Sequence, residues 1–255
     1  MSEHTLHLTL RRRRLALDAD DRRVWQVAEE PLTLATDRVA LLLCDVWDNH
    51  HSRGARERLE VMIPRLNAVV TSLRSRGAHI IHAPSDTMDF YADHPARRRL
   101  LAVEPVEPPA DLPHDDPPLP IDSSDGGSDT TIGDIPGWPW TRQHPGIAID
   151  EARDVIGAEG PRVYSFLRRE GIERLLMMGV HTNMCVLHRP FGIKQMVRWG
   201  LPVALVRDLT DTMYNPERPP YVSHQEGTRL VVEFIEKFWC PTVASCELMG
   251  DVESH

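Results

Sequence analysis

Lysine is almost missing from this sequence. Of the 29 lysine and arginine residues in 255, only Lys194 and Lys237 are lysines, and both follow Cys185. Arginine therefore supplies nearly all of the positive charge. A guanidinium donates hydrogen bonds and charge but transfers no proton. Proton transfer by a side chain before Cys185 must therefore involve other residue types.

Long apolar runs are missing as well. The start of the chain has no apolar core of the signal-peptide kind, and no later run approaches the roughly 18 residues of a membrane span. We therefore expect no signal peptide, no membrane helix and no membrane partner. The four cysteines, Cys44, Cys185, Cys240 and Cys246, follow no spacing framework. This pattern is typical of a reducing, cytoplasmic setting without disulfides.

Excess positive charge is absent too. The formal net charge is −9, and the only basic block, Arg11–Arg14, is followed by Asp18, Asp20 and Asp21. Charge runs of this kind are usually solvated. We therefore expect no nucleic-acid partner.

Strand-like and helix-like segments alternate along the chain. Arg38–Cys44 is a continuous apolar run, as in a central parallel strand, and it ends in Asp45. Because side chains alternate on a strand, Cys44 is predicted to lie in the core. The pattern predicts one doubly wound α/β domain over residues 1–255, with three α/β/α layers and a mainly parallel sheet. Its other predicted strands are 79–83, 147–150, 174–178, 203–206 and 242–245. Its predicted helices include one that carries Leu59 to Leu73 and stops at Gly77, and those at 159–169 and 224–237.

Two segments depart from this alternation. Residues 1–36 form a strand-rich extension, in which Val24–Val27 is predicted to pair back as an antiparallel edge. Residues 104–146 form a long insertion rich in proline, aspartate, glycine and serine, with Trp138 and Trp140 near its end. A loop of this length inside a domain is usually functional. We expect the tryptophans to pack on the mouth of a site or on a neighbouring subunit, in a homo-oligomer.

The most informative stretch is Met177–Val186, in which an apolar strand ends in a Gly-Val step, a polar turn and Cys185. In open α/β sheets, ligands bind at the carboxyl ends of the strands. Turn amides and a helix N-terminus favour a thiolate there, so we expect Cys185 to have a low pKa. A buried structural cysteine is the alternative.

The pattern Gly179-Val180-x-Thr182-Asn183-x-Cys185-Val186 resembles the nucleophile signature of the isochorismatase-like cysteine hydrolases, the group that includes nicotinamidases. The resemblance covers about residues 38–245. It implies a three-layer α/β fold and hydrolysis of an amide-type bond by an Asp, a Lys and a Cys. It also implies a cis peptide bond between Val180 and His181. The oxyanion donors that it implies are the backbone N–H groups of His181 and Cys185, in a turn that also contains Thr182 and Asn183.

Applied to this chain, the resemblance implies Cys185 as the nucleophile and Asp45 as the proton acceptor. The family lysine is expected some thirty residues before the cysteine, where Arg153 is the only cation of the segment 149–154. Arg153 is therefore the candidate for the role of the family lysine, on the basis of its positive charge alone. Trp47, His50 and Tyr214 are candidates for binding a small-molecule substrate.

No cofactor is expected. Nicotinamidases bind a metal through an Asp-x-His pair after the second strand, and the matching segment here, 86–88, contains no histidine. Asp48, His50, His51 and His82 are a looser set that contains zinc-ligand types. Chance clustering is expected among 13 histidines, so no metal ligand is assigned.

Two classes of function remain open. The first is a cysteine hydrolase that cleaves a C–N or related bond of a small metabolite through Cys185 and Asp45. The second is a catalytically impaired binding or scaffolding protein on the same fold, which the missing lysine favours. Thiol redox chemistry is a weaker third idea, since no second cysteine lies near Cys185 in sequence.

Overall fold

A computed structural model describes residues 4–249. The ends of the predicted 1–255 domain, including residues 1–3 of the extension, lie outside the described residues. The eight strands form one sheet in the order β2-β1-β8-β7-β6-β3-β4-β5. Their bounds are β1 Thr5–Leu17, β2 Arg23–Ala35, β3 Val39–Cys44, β4 His79–Ala83, β5 Val155–Ile156, β6 Arg174–Val180, β7 Val203–Asp211 and β8 Thr242–Val243.

The strands from β3 to β8 pair in parallel, which confirms the predicted α/β class. The N-terminal hairpin of β1 and β2 is antiparallel and much longer than the predicted edge. β1 joins the rest of the sheet at Arg11, beside Thr242 of β8. Leu6 and Leu8 of the hairpin are buried in a core cluster that includes residues of β3, whereas Leu15 and Leu17 are exposed.

Helices cover both faces of the sheet. They are α1 Arg53–Ser75, α2 Pro95–Leu101, α3 Gly160–Arg169, α4 Cys185–His188, α5 Ile193–Arg198 and α6 His224–Phe238. α1 packs on one face of the sheet, and α3 to α6 pack on the other. None of the helices between residues 4 and 249 is long and apolar enough to cross a membrane.

Alternation along β3 divides its side chains between these two layers. Leu41 and Leu43 pack with α1, whereas Leu42 and Cys44 pack in the opposite cluster. Cys44 is completely buried, as predicted.

One predicted strand is wrong, and the last one is shorter than predicted. Residues 147–150 are not a strand, because Asp150 accepts backbone hydrogen bonds from Arg153 and Asp154 and so turns the chain. The strand at this edge is β5, a few residues later. β8 ends at Val243, since the chain then enters a 3₁₀ turn over Ser245–Glu247.

Candidate active site

The candidate site lies where β3 and β6 end side by side. Cys44 of β3 pairs with Gly179 of β6, so Asp45 and Val180 leave the sheet at the same place. Gly179 has φ +117°, and a Cβ there would lie 2.1 Å from the carbonyl oxygen of Cys44. Only glycine permits this close approach of the two strands. This close approach of β3 and β6 places the turn that precedes Cys185 next to Asp45.

Three groups hold the Asp45 carboxyl in a fully buried position. The thiol of Cys185 lies against it and interacts with its charge. The N–H of Ser85 donates to Oδ1 at 2.7 Å, and Nε of Arg189 donates to Oδ2 at 2.9 Å. Burial raises the pKa of Asp45, and the charge of Arg189 is the largest effect that opposes this rise.

The expected low pKa of Cys185 is wrong. Burial, followed by the negative charge of Asp45, raises the pKa of this thiol to about 12. The guanidinium of Arg189 and the N–H of His181 lower the pKa, but by less. α4 has only four residues, which limits its dipole. At rest, Cys185 is therefore a neutral thiol that lies beside Asp45, its candidate base.

Arg189 is the cation of this site, and the assignment of Arg153 is corrected. Arg189 directly follows α4, four residues after Cys185, and its Nη2 also binds Asp86 Oδ2 at 2.7 Å. The side chain of Arg153 instead donates to the carbonyl oxygen of Arg74 at 2.7 Å. Arg74 is in the last turn of α1, whereas Ala55 in the first turn lines a small cavity together with Trp47 and His181.

Sequence reasoning missed Arg189 because it searched only where the family lysine is expected. A usable signal was present. Residues at i and i+4 of a helix share one face, so a cation four residues after Cys185 was a candidate.

The turn between β6 and α4 has the cis peptide bond between Val180 and His181 that the resemblance implied. The backbone N–H of His181 contacts the sulfur of Cys185. Cys185 begins α4, and the first N–H groups of a helix have no partner within the helix. These two amides form the candidate oxyanion site.

Thr182 and Asn183 hold the shape of this turn. The N–H of Thr182 donates to the carbonyl of Asp211 at 2.8 Å. The amide of Asn183 pairs with both backbone groups of Met213 at 2.9 Å. Both side chains are buried, so they fix the turn to the residues at the end of β7 and after it.

His50 and His181 form a buried pair beside the turn. Their Nε2 atoms lie 3.3 Å apart. Burial lowers the pKa of His50 to about 2 and that of His181 to about 4. Both rings are therefore neutral near pH 7.

Aromatic rings line the same end of the sheet. Trp47 stacks on Trp140 of the insertion with ring centres 4.2 Å apart, and the ring of His50 lies 5.6 Å from Trp140. The guanidinium of Arg189 lies 6.0 Å from the ring of Trp47. Trp140 therefore packs on the mouth of the site, one of the two predicted places, whereas Trp138 is 78% exposed. Trp47 is adjacent to the candidate catalytic groups.

The third substrate-binding candidate, Tyr214, is corrected. Its side chain is completely buried in the core cluster beneath α6. Its hydroxyl donates to the carbonyl of Arg218 at 2.7 Å. Its apolar ring packs against Gly227, so no face of Tyr214 is available to a substrate.

The looser set of possible metal ligands does not come together. Asp48 binds the backbone and hydroxyl of Thr141, at 2.9 and 2.6 Å. His82 lies between Gln143 and Asp154, at 2.8 and 3.0 Å. Within residues 4–249, no group of three or more His, Cys, Asp or Glu side chains is arranged to hold a metal ion.

Comparison with family models and with curated proteins finds no match to this chain. Solved structures do match. A cysteine hydrolase from Pseudomonas syringae shares 16% identity with a TM-score of 0.54, over 85% of this chain and 92% of the other. An isochorismatase from Pseudomonas putida shares 12% with a TM-score of 0.52, over 83% and 90%. A putative isochorismatase from Burkholderia xenovorans shares 15% with a TM-score of 0.50, over 83% and 86%.

These similarities establish the class of fold. The chain has the isochorismatase-like α/β fold, as its sequence resemblance predicted. The solved proteins with which it shares that fold are described as a cysteine hydrolase and isochorismatases.

Proposed function

We propose that this protein is a cysteine hydrolase that cleaves a C–N bond of an amide-type small metabolite, or a related bond. The observation that carries the proposal is the contact of the Cys185 thiol with the buried Asp45 carboxyl, which Arg189 holds through Oδ2. Nucleophile, base and orienting cation are the three parts that covalent acyl transfer requires.

In the first step, Asp45 takes the thiol proton while the sulfur of Cys185 attacks the substrate carbonyl carbon. A raised thiol pKa suits this order, since the proton leaves only as the new C–S bond forms. The backbone N–H groups of His181 and Cys185 stabilise the negative charge that develops on the carbonyl oxygen.

In the second step, Asp45 returns the proton to the leaving nitrogen, the C–N bond breaks and an acyl thioester remains on Cys185. The Asp45 carboxylate then removes a proton from water, which attacks the thioester. The thiol leaves as the acid forms and recovers its proton from Asp45. All proton transfers pass through this one carboxyl.

Arg189 supplies charge and geometry without moving a proton. Its guanidinium opposes the rise in the pKa of Asp45 that burial causes, so it favours the carboxylate form, which is the form that accepts a proton. It also lowers the pKa of Cys185 and thereby offsets the charge on the sulfur during attack. In this proposal Arg189 takes the electrostatic part of the missing family lysine.

The test combines turnover with trapping of the covalent intermediate. The protein is incubated with a panel of small amides, amine release is measured, and acyl adducts are located by peptide mass spectrometry. We expect adducts on Cys185, no release by Cys185→Ala or Asp45→Asn, and unchanged release by the matched surface variant Arg153→Ala.

The rival function is a binding protein on the same fold. Ligand binding without amine release, and without any adduct on Cys185 across the panel, would support this rival and contradict the proposal. Activity that survives in Cys185→Ala would contradict the proposed nucleophile.

A further inference from the structure

The N-terminal hairpin presents an unpaired strand edge. β2 is the outermost strand of the sheet and runs for 13 residues, Arg23–Ala35. Its inner edge pairs with β1, and no strand among residues 4–249 pairs with its outer edge. Such an edge carries a row of free backbone donors and acceptors that another strand can bind.

Apolar side chains are exposed on one face of this hairpin. Leu15, Leu17, Trp25 and Val27 are 53%, 58%, 38% and 47% exposed. Leu15 lies opposite Trp25, and the four residues occupy odd positions of the paired strands, so they share one face. Clustered apolar exposure of this kind marks an interaction surface.

Opposite charges lie at the two ends of the exposed segment of β2. Arg23 and Glu29 are exposed, and neither takes part in an ion pair among the described residues. Glu29 faces Arg11 across the hairpin, but Arg11 is bound to Glu236 of α6. Glu29 is therefore free to pair with a cation outside the chain.

We propose that two copies of this chain pair through β2, antiparallel about a two-fold axis at Gln26. In this register Arg23 of each copy lies opposite Glu29 of the other, and Trp25 lies opposite Val27. Opposite charges and aromatic–β-branched pairs both stabilise antiparallel neighbours. The same surface on both copies gives a closed, self-complementary dimer.

The sequence of β2 favours this register over its neighbours. Moving the axis by one residue, to Val27, places Arg23 opposite Pro31 and removes both ion pairs. Pro31 also has no backbone N–H to donate, so it limits pairing to the segment before it. The two eight-stranded sheets then form one continuous sheet.

The alternative is that the edge charges keep other strands away, which is a common use of charge on edge strands. The two interpretations predict opposite effects of these charges on dimer formation. Charges that are complementary about the two-fold axis attract a second copy, so reversing one of them must weaken association and reversing both must restore it.

The test is sedimentation velocity of the full chain over a range of concentrations, with Arg23→Glu, Glu29→Arg and the double variant. Arg168→Glu, which reverses an exposed charge on α3, is the matched control. We expect a dimer for the wild type, the control and the double variant. The dimer of each single variant is expected to have a dissociation constant at least about tenfold higher than that of the wild type. The reason is that each single reversal places like charges opposite each other twice in the dimer.

Mixing the two single variants makes the test independent of folding defects. The Arg23→Glu chain carries two glutamates at these positions and the Glu29→Arg chain two arginines, so their mixture is expected to form a heterodimer. A wild type that stays monomeric overturns the proposal. So does a dimer that the single reversals leave unchanged, or one that neither the double variant nor the mixture restores.

Discussion

Replacing Arg189 with methionine removes the cation that holds Asp45. The guanidinium makes hydrogen bonds of 2.9 Å to Asp45 and 2.7 Å to Asp86. The Asp45 side chain is completely buried, and without Arg189 its remaining partners are Ser85 and the Cys185 thiol. A buried carboxylate would then be left without a counter-charge.

The size of the effect follows from burial. Removing one partner of a fully buried ion pair costs about 3–5 kcal/mol of stability. The Arg189 side chain is 25% exposed, so solvent screens part of its interaction with Asp45. We therefore expect Arg189→Met to lower the free energy of unfolding by about 2–3 kcal/mol near pH 8.

The loss should depend on pH in a definite direction. Burial raises the pKa of Asp45 in the folded protein, and Arg189 opposes that rise, so the variant has a still higher folded pKa. A carboxyl with a raised folded pKa contributes stability below its unfolded pKa and loses that contribution as the pH rises through the folded pKa. The penalty should therefore be small near about pH 4 and reach its full size near about pH 8.

The assay is urea unfolding of the wild type, Arg189→Met, Arg189→Lys and Arg153→Ala across this pH range. Arg189→Lys should recover about half of the loss, since an ammonium keeps the charge but not the fork of donors. Arg153→Ala, which removes a surface arginine, should show no such pH dependence. An Arg189→Met penalty of equal size at both ends of the range would refute the electrostatic account of this site.

Three further predictions concern the same end of the sheet. Asp45→Asn should lower the pKa of Cys185 below about 12, because the adjacent carboxylate raises that pKa in the wild type. Titration of the thiolate absorbance measures the pKa, and a value unchanged in the variant would contradict the prediction. Exposed Cys246 should react with iodoacetamide before Cys185 near pH 8, because a thiol of pKa about 12 is ionised there to roughly one part in ten thousand. Peptide mapping identifies the labelled cysteine, and faster labelling of Cys185 would contradict the prediction. Trp140→Ala removes the stacking on Trp47 and should lower the free energy of unfolding by about 2–4 kcal/mol. A decrease of less than about 0.5 kcal/mol in urea unfolding would contradict this packing.

Parts of this site that depend on local pattern were predictable. An apolar run that ends in an acid placed Asp45 at the end of a central strand, and alternation placed Cys44 in the core. The glycine and the polar turn before Cys185 carried the family resemblance. Each of these inferences uses a repeat of two residues or a short motif, so neighbouring positions in the sequence are sufficient for it.

The errors about the site residues involve contacts between distant segments. Arg153 was expected near Cys185 from its distance along the chain, yet it lies beside the end of α1. Tyr214 was assigned to substrate binding, but its ring packs beneath Gly227 of α6. The pKa of Cys185 was predicted from the turn and the helix, whereas burial and Asp45, 140 positions earlier, decide it.

The sequence by itself determined the central parallel strands and the long helices, and that an acid and a cysteine each follow a central strand. These properties arise from side-chain periodicity and turn chemistry, which act over a few residues. Only the tertiary structure decided that Arg189 holds Asp45, that the thiol is protonated at rest and that Trp140 covers the mouth of the site. Charge interactions and burial depend on distances through space, and only the packed sheet sets those distances.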